Sequence, residues 1–186
     1  MRCVLIVLAL AGCGGSGRTP DAALVALPCD ATTCFGTCVG DVCHVACGVT
    51  CGCPVGVRCE MDCDAADSCS AKVDCGTAFS CAIVCSVAGS CSGTLHGDAA
   101  ATLTVSCAAP DTCQGAILVE DSLTATIDCS GARSCGLIQC GAGACNATCS
   151  GDGACPELDC HSACACDVTC GPGACSGGGC SCEPRC

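Results

Sequence analysis

Apolar and polar residues alternate in short runs along the middle of the chain. In Leu103-Thr104-Val105-Ser106-Cys107, Leu, Val and Cys fall on one side, Thr and Ser on the other. Leu123, Ala125, Ile127 and Cys129 repeat the pattern against Thr124, Thr126 and Asp128, and Val57, Cys59, Met61 and Cys63 follow the same rule. Strand side chains point alternately to two faces, so period two predicts strands with the apolar set inward. Gly, Ser, Asp and Pro separate the runs and mark turns. Helix is disfavoured, because Gly, Cys, Thr and Val are poor helix formers.

The strands lead into a repeated unit, Cys-x5-Cys. It occurs as CDAADSC (Cys63, Cys69), CGTAFSC (Cys75, Cys81), CSVAGSC (Cys85, Cys91), CAAPDTC (Cys107, Cys113), CSGARSC (Cys129, Cys135) and CSGDGAC (Cys149, Cys155). Ser, Thr or Ala precedes the second Cys each time. CGAGAC at 140–145 and CGPGAC at 170–175 are shorter variants. The series Cys63, Cys85, Cys107, Cys129, Cys149, Cys170 advances in steps of 22, 22, 22, 20 and 21. A fixed period of this size signals a repeat array. Short strands, turns and a period near 22 predict an all-β, disulfide-rich fold, a narrow β-solenoid of parallel coils.

Composition changes the picture of its core. Cys accounts for 32 of 186 residues, with no Trp, no Tyr and two Phe, Phe35 and Phe79. Large side chains that dominate ordinary cores are missing, and bridges are the usual staple of a poor core. A bridge within one unit closes a loop of about seven residues, worth about 2 kcal/mol by chain entropy. Pairing inside each unit is the simplest expectation, and connectivity is otherwise open. Two Cys-free stretches, 92–106 and 114–128, carry the aliphatics Leu95, Leu103, Val105, Ile117, Leu118, Val119, Leu123 and Ile127. There the core is expected to change from sulfur to hydrocarbon. At 29–63 and 155–186 cysteines fall every two to six residues. Those flanks are expected to be loop-rich structure knotted by disulfides, or irregular narrow coils, with little regular strand.

The N-terminus supplies an address. Val4–Leu10 is too short to span a bilayer, which takes about 20 residues. One positive residue, Arg2, a short apolar run and small residues fit a secretion signal. The tetrad Leu10-Ala11-Gly12-Cys13 resembles the bacterial lipobox. That resemblance implies cleavage before Cys13, its acylation, and attachment to the membrane through the lipid. Gly14, where an Asp would imply retention in the inner membrane, points to the outer membrane. Gly14-Gly15-Ser16-Gly17 is flexible linker chemistry. Setting aside Cys3 and Cys13 leaves an even 30 cysteines from the total of 32, as a disulfide framework in an oxidising compartment requires. The whole chain is similar to the cysteine-rich repeat lipoproteins of bacterial cell surfaces, a class without a common catalytic activity. The spacing at 63–91 also resembles the small disulfide-bonded β-helix of insect antifreeze proteins. Their Thr rank has its nearest counterpart in Thr102/Thr104 and Thr124/Thr126, two rungs only.

Charge and motifs narrow the function. The net charge is −12, with 18 acidic and 6 basic residues. Nucleic acid is excluded as a partner, since phosphates are neutralised by clustered Lys and Arg. No Gly-x-Ser-x-Gly elbow occurs; GSCSG at 89–93 has Cys at its centre. Lys72 is the only Lys, so no phosphate loop can be built. Asp62, Asp64, Asp67 and Asp74 lack the repeated spacing of calcium solenoids and read as a solvated face. His44 and His161 adjoin Cys43 and Cys160, and Cys-x-Cys occurs at 51–53, 164–166 and 180–182. If reduced, these cysteines would suit a thiolate metal site, with His96 the third histidine.

The expected organisation is a signal peptide at 1–12, a lipidated Cys13 with its linker at 13–28, a Cys-dense segment at 29–62, the solenoid at 63–155 and a second Cys-dense segment at 156–186. The expected function is a lipid-anchored envelope protein with a structural, adhesive or binding role. No catalytic site, cofactor or metal is expected. The alternatives are a thiolate metal-binding or redox protein, and an ice- or surface-binding secreted module.

Overall fold

The computed structural model describes residues 25–160, 162–175 and 180–181. Cys13 and the signal segment lie outside these residues, as does His161. A hairpin opens the fold: β1 (Thr37–Val39) pairs antiparallel with β2 (Val42–Ala46). From there the chain winds in coils, each with one long and one short strand. The sequence runs β3 (Cys51–Gly52), β4 (Arg58–Cys63), β5 (Lys72–Asp74), β6 (Ser80–Cys85), β7 (Thr94–His96), β8 (Thr102–Cys107) and β9 (Ile117–Val119). It continues through β10 (Thr124–Cys129), β11 (Leu137–Cys140), β12 (Ala144–Cys149), β13 (Glu157–Asp159), β14 (Ala165–Cys170) and β15 (Cys180–Ser181). The long strands stack in the order β1-β2-β4-β6-β8-β10-β12-β14, the short ones β15-β13-β11-β9-β7-β5-β3. All pairs after the first hairpin are parallel. The fold is therefore a two-sheet β-solenoid with no helix among the described residues.

In-register stacking turns each interior position into a column. The middle column of the long strands reads Val45, Met61, Ile83, Val105, Ile127, Ala147, and that of the short strands Val73, Leu95, Ile117, Ile138, Leu158. All are buried. Each such side chain is worth about 1.5–3 kcal/mol on removal from water.

Sulfur fills the rest. One column of bridges ties the end of each long strand to the following corner: Cys63–Cys69, Cys85–Cys91, Cys107–Cys113, Cys129–Cys135, Cys149–Cys155 and Cys170–Cys175, while in the first coil Cys47 bridges to Cys51 at the start of β3, which registers on Val73. A second column joins the end of a short strand to the next long strand: Cys53–Cys59, Cys75–Cys81, Cys140–Cys145 and Cys160–Cys166. Cys29–Cys38 and Cys34–Cys43 staple the opening hairpin.

The corner explains the unit's remaining residues. Asp67, Gly89, Asp111, Arg133, Gly153 and Gly173, each two positions before the second Cys, all have positive φ, between 49° and 79°. Gly and Asp tolerate that region, and Arg does so at a cost of about 1–2 kcal/mol. Arg133 is held there by two hydrogen bonds to Asp111, at 2.9 and 2.8 Å. The next residue is buried. Ser68, Ser90 and Thr112 each donate a hydroxyl to the carbonyl three residues back, at 2.6–2.9 Å. Ala154 and Ala174 take the same place without a hydroxyl to satisfy.

Two expectations are corrected. The ladder does not stop at 63 or 155. Within the flanks β2 and β4 pair over five residues, and β12 and β14 over six. The dense cysteines keep interior parity, Cys43 lying on Cys59 and Cys145 on Cys166, so they staple coils rather than replace them. Leu123 does not face inward with Ala125, Ile127 and Cys129; it is 50% exposed. The strand begins only at Thr124, and Ser122 turns inward instead, its hydroxyl donating to the Gly97 carbonyl at 3.1 Å.

The second sulfur column is interrupted where the sequence lacks Cys. Cys81 registers on Leu103, Leu103 on Ala125, and Ala125 on Cys145. Their counterparts at the short-strand ends are Cys75, Gly97, Val119 and Cys140. A bridge is replaced first by Gly97 with Leu103, then by Val119 with Ala125. Volume is traded across the coil: a Cβ on Gly97 would come 2.7 Å from Leu103 Cδ2. Gly97→Ala should therefore destabilise by about 1–3 kcal/mol through overpacking, read by denaturant unfolding. The double variant Gly97→Cys with Leu103→Cys should restore the bridge. Under denaturing, non-reducing conditions it should show no more free thiol than the parent, while Gly97→Cys alone shows one more.

Candidate functional site: a carboxylate ladder on the short-strand face

Stacking that aligns apolar residues inside also aligns polar residues outside. On the outer face of the short strands, Asp74 at the end of β5 registers on His96 of β7, and His96 on Leu118 of β9. Asp98 and Glu120 each lie two residues beyond these partners. The ladder thus holds Asp74, His96, Asp98 and Glu120 within reach of one another. Lys72 donates to Asp74 Oδ2 at 2.7 Å, and the Gly76 N–H donates to Asp74 Oδ1 at 2.8 Å. His96 Nδ1 stands 3.9 Å from both Asp98 Oδ1 and Glu120 Oε1. Asp98 has positive φ, 33°.

The carboxyls of Asp74 and Asp98 set each other's proton affinity. The hydrogen bond between their carboxyls comes first in setting both. It pushes Asp98 up to about 7, helped by partial burial and by the charges of Asp74 and Glu120. The same bond holds Asp74 down to about 2, with further help from Lys72 and the Gly76 N–H. Asp98 is thus the proton holder and Asp74 the ionised acceptor. Neighbouring carboxyls that cannot both ionise cheaply behave this way. Below the ladder, against the first coils, lies a cavity of about 390 Å³ with Phe35, Val45, Thr50, Lys72 and Asp74 in its wall.

The other candidates fall in separate places. His44, on the outer face of the long strands, has Nδ1 3.6 Å from both Glu60 Oε1 and Asp62 Oδ2. Asp64 is exposed and Asp67 forms the positive-φ corner. Asp74 belongs to the ladder rather than to one solvated face with Asp62, Asp64 and Asp67. Thr102, Thr104, Thr124 and Thr126 stand side by side and exposed on the long-strand face. That pattern gives way to Ser80 and Ala82 on one side and Ala144 and Asn146 on the other. Sulfurs of adjacent coils come within 4.8 Å of one another, as in Cys63, Cys85 and Cys91. Every cysteine from Cys29 to Cys175 is disulfide-bonded, so in this oxidised state these clusters are stacked bridges with no thiolate to offer a metal. Sequence reasoning missed Asp98 and Glu120. Their spacing of 22 is a signal, but their meeting with Asp74 depends on the offset of two residues past each short strand.

This pair makes stability depend on pH. The folded state binds the Asp98 proton more tightly than the unfolded chain, whose value is 3.8. Its contribution is complete below that value and is lost as pH rises through about 7. Asp74 acts oppositely, its contribution being lost as pH falls from 3.8 towards about 2. Thermal unfolding should give a higher Tm near about pH 5 than near about pH 8. Asp98→Asn keeps a hydrogen-bond donor towards Asp74 but cannot titrate, and should flatten that slope.

Compared with protein-family models, with curated proteins and with solved structures, the chain matches none.

Proposed function

We propose that the protein is an exported, lipid-anchored component of the bacterial cell envelope, held at the outer membrane or cell surface through acylated Cys13. Its role is structural, adhesive or binding, and it carries out no catalysis. The observation that carries the reading is the oxidised array. From Cys29 to Cys175 every cysteine is bonded, and such a protein keeps its bridges only beyond the reducing cytosol. The tetrad Leu10-Ala11-Gly12-Cys13 supplies the matching export and lipidation signal. The placement of polar groups agrees with a passive role. Threonines on the long-strand face and carboxylates on the short-strand face are gathered by the stacking on the outer surface, where they are open to a partner.

Two measurements test this. Cells fed a labelled fatty acid should incorporate it into the wild-type protein and not into Cys13→Ser; equal labelling of both would overturn the anchor. Thiol titration of the unfolded, unreduced protein from its native host should find almost no free thiol. A thiol content approaching the cysteine count would favour the metal-binding alternative.

A further inference from the structure

Exposed apolar side chains are distributed unevenly along the solenoid. Among the described residues seven large ones are exposed, and six of these are Val25, Leu27, Phe35, Val39, Val49 and Val55. All six lie in the opening hairpin, its lead-in or the first coil; the seventh is Leu123 in the body. They are fixed in place. Leu27 donates its N–H to the Gly56 carbonyl at 2.9 Å, next to Val55. Val49 accepts from the Ala71 N–H at the first corner, at 3.0 Å. Phe35 lies between the bridged Cys34 and Cys38, 69% exposed. A soluble end-cap would normally be polar, since it must close the stack against water.

Charge is distributed in the opposite sense. Between residues 25 and 57 there are two carboxylates, Asp30 and Asp41, and no Lys or Arg. Between 58 and 128 there are ten: Glu60, Asp62, Asp64, Asp67, Asp74, Asp98, Asp111, Glu120, Asp121 and Asp128. The apolar end is also the end nearest the proposed anchor. Eleven residues separate Cys13 from Val25, and a chain of that length reaches at most about 40 Å even fully extended. A lipid on Cys13 would tether the solenoid by its apolar end, and the acidic coils lie farther along the chain from that tether.

We propose that this N-terminal end docks on the lipid bilayer, seating the cap's apolar side chains at the boundary of headgroups and acyl chains. Val, Leu and Phe suit that boundary, where an apolar face is buried by about 5–10 Å. The docking rests on the lipid-anchor reading and adds an orientation to it: the coil axis stands away from the membrane, and both outer sheet faces remain free.

The chain has no Trp and no Tyr, so one introduced Trp reports alone. Phe35→Trp, Val55→Trp and Leu123→Trp replace exposed side chains. Each acylated full-length variant is reconstituted on phosphatidylethanolamine–phosphatidylglycerol vesicles, with and without brominated acyl chains. Emission from Phe35→Trp and Val55→Trp should move to shorter wavelength on vesicles and be quenched by the brominated lipid. Leu123→Trp should keep its solution spectrum. Vesicle flotation with Cys13→Ser as control separates the two readings. A chain that floats while all three spectra stay as in solution overturns the docking and leaves the anchor. Quenching of all three alike overturns the end-on orientation. A chain that floats no better than Cys13→Ser overturns the anchor and the docking with it.

Discussion

The structure depends on one constraint, the narrowness of the coil. Two sheets of short strands face each other across a gap that takes about one side chain from each. At every level that gap must be filled, by two aliphatics, by a disulfide, or by a small residue opposite a larger one. Val73 with the Met61 column, Cys75 with Cys81, and Gly97 with Leu103 are three solutions to the same spatial problem. This keeps rings the size of Trp and Tyr out of the interior, where they would force the sheets apart. It also explains the cysteine content. A bridge fills the gap and simultaneously restrains the unfolded chain, so it contributes where burial alone contributes little.

Much of this was legible in the sequence because the constraint acts on single positions. Alternation of Leu103, Val105 and Cys107 marks a strand with one inward face, and the return of Cys every 22 residues marks a coil. The Ser, Thr or Ala before each second Cys is legible as a rule, and the structure supplies its reason: a buried corner with room for a hydroxyl or a methyl. Features that depend on two coils at once were not legible. The trade of a bridge for Gly97 and Leu103 looks like a gap in the cysteine pattern until register pairs Leu103 with Cys81. Leu123 satisfies alternation yet faces water, because the turn before β10 ends one residue later than the apolar pattern begins. Strands at β2, β13 and β14 were hidden by cysteine density, which reads as knotting unless the interior parity of Cys43, Cys59, Cys145 and Cys166 is followed.

The carboxylate ladder shows the same limit in its chemistry. Parallel in-register stacking places equivalent side chains about 4.8 Å apart. That spacing is favourable for Thr or Val; Asp74 and Asp98 are not equivalent positions, Asp74 registering on His96, yet stacking still makes their carboxyls neighbours at a penalty. The penalty is reduced here by Lys72, by the Gly76 amide and by a proton held on Asp98. Nothing in the local sequence around Asp74 or Asp98 signals this, since 24 residues separate them and neither sits in a motif.

Stacking also leaves a solenoid with two ends that its repeats cannot finish. At the N-terminal end the solution is an antiparallel hairpin, β1 on β2, locked by Cys29–Cys38 and Cys34–Cys43. The hairpin covers β2, a five-residue strand, with the three-residue β1, so the edge left to template further pairing is short. Two bridges are enough to hold that hairpin without a core of its own. Its outward apolar residues are therefore not needed for the fold: Val39 and Phe35 contribute little burial where they stand. Side chains that cost solubility and give little stability are best accounted for by a surface they meet, and the proposed anchor at Cys13 would make that surface a membrane.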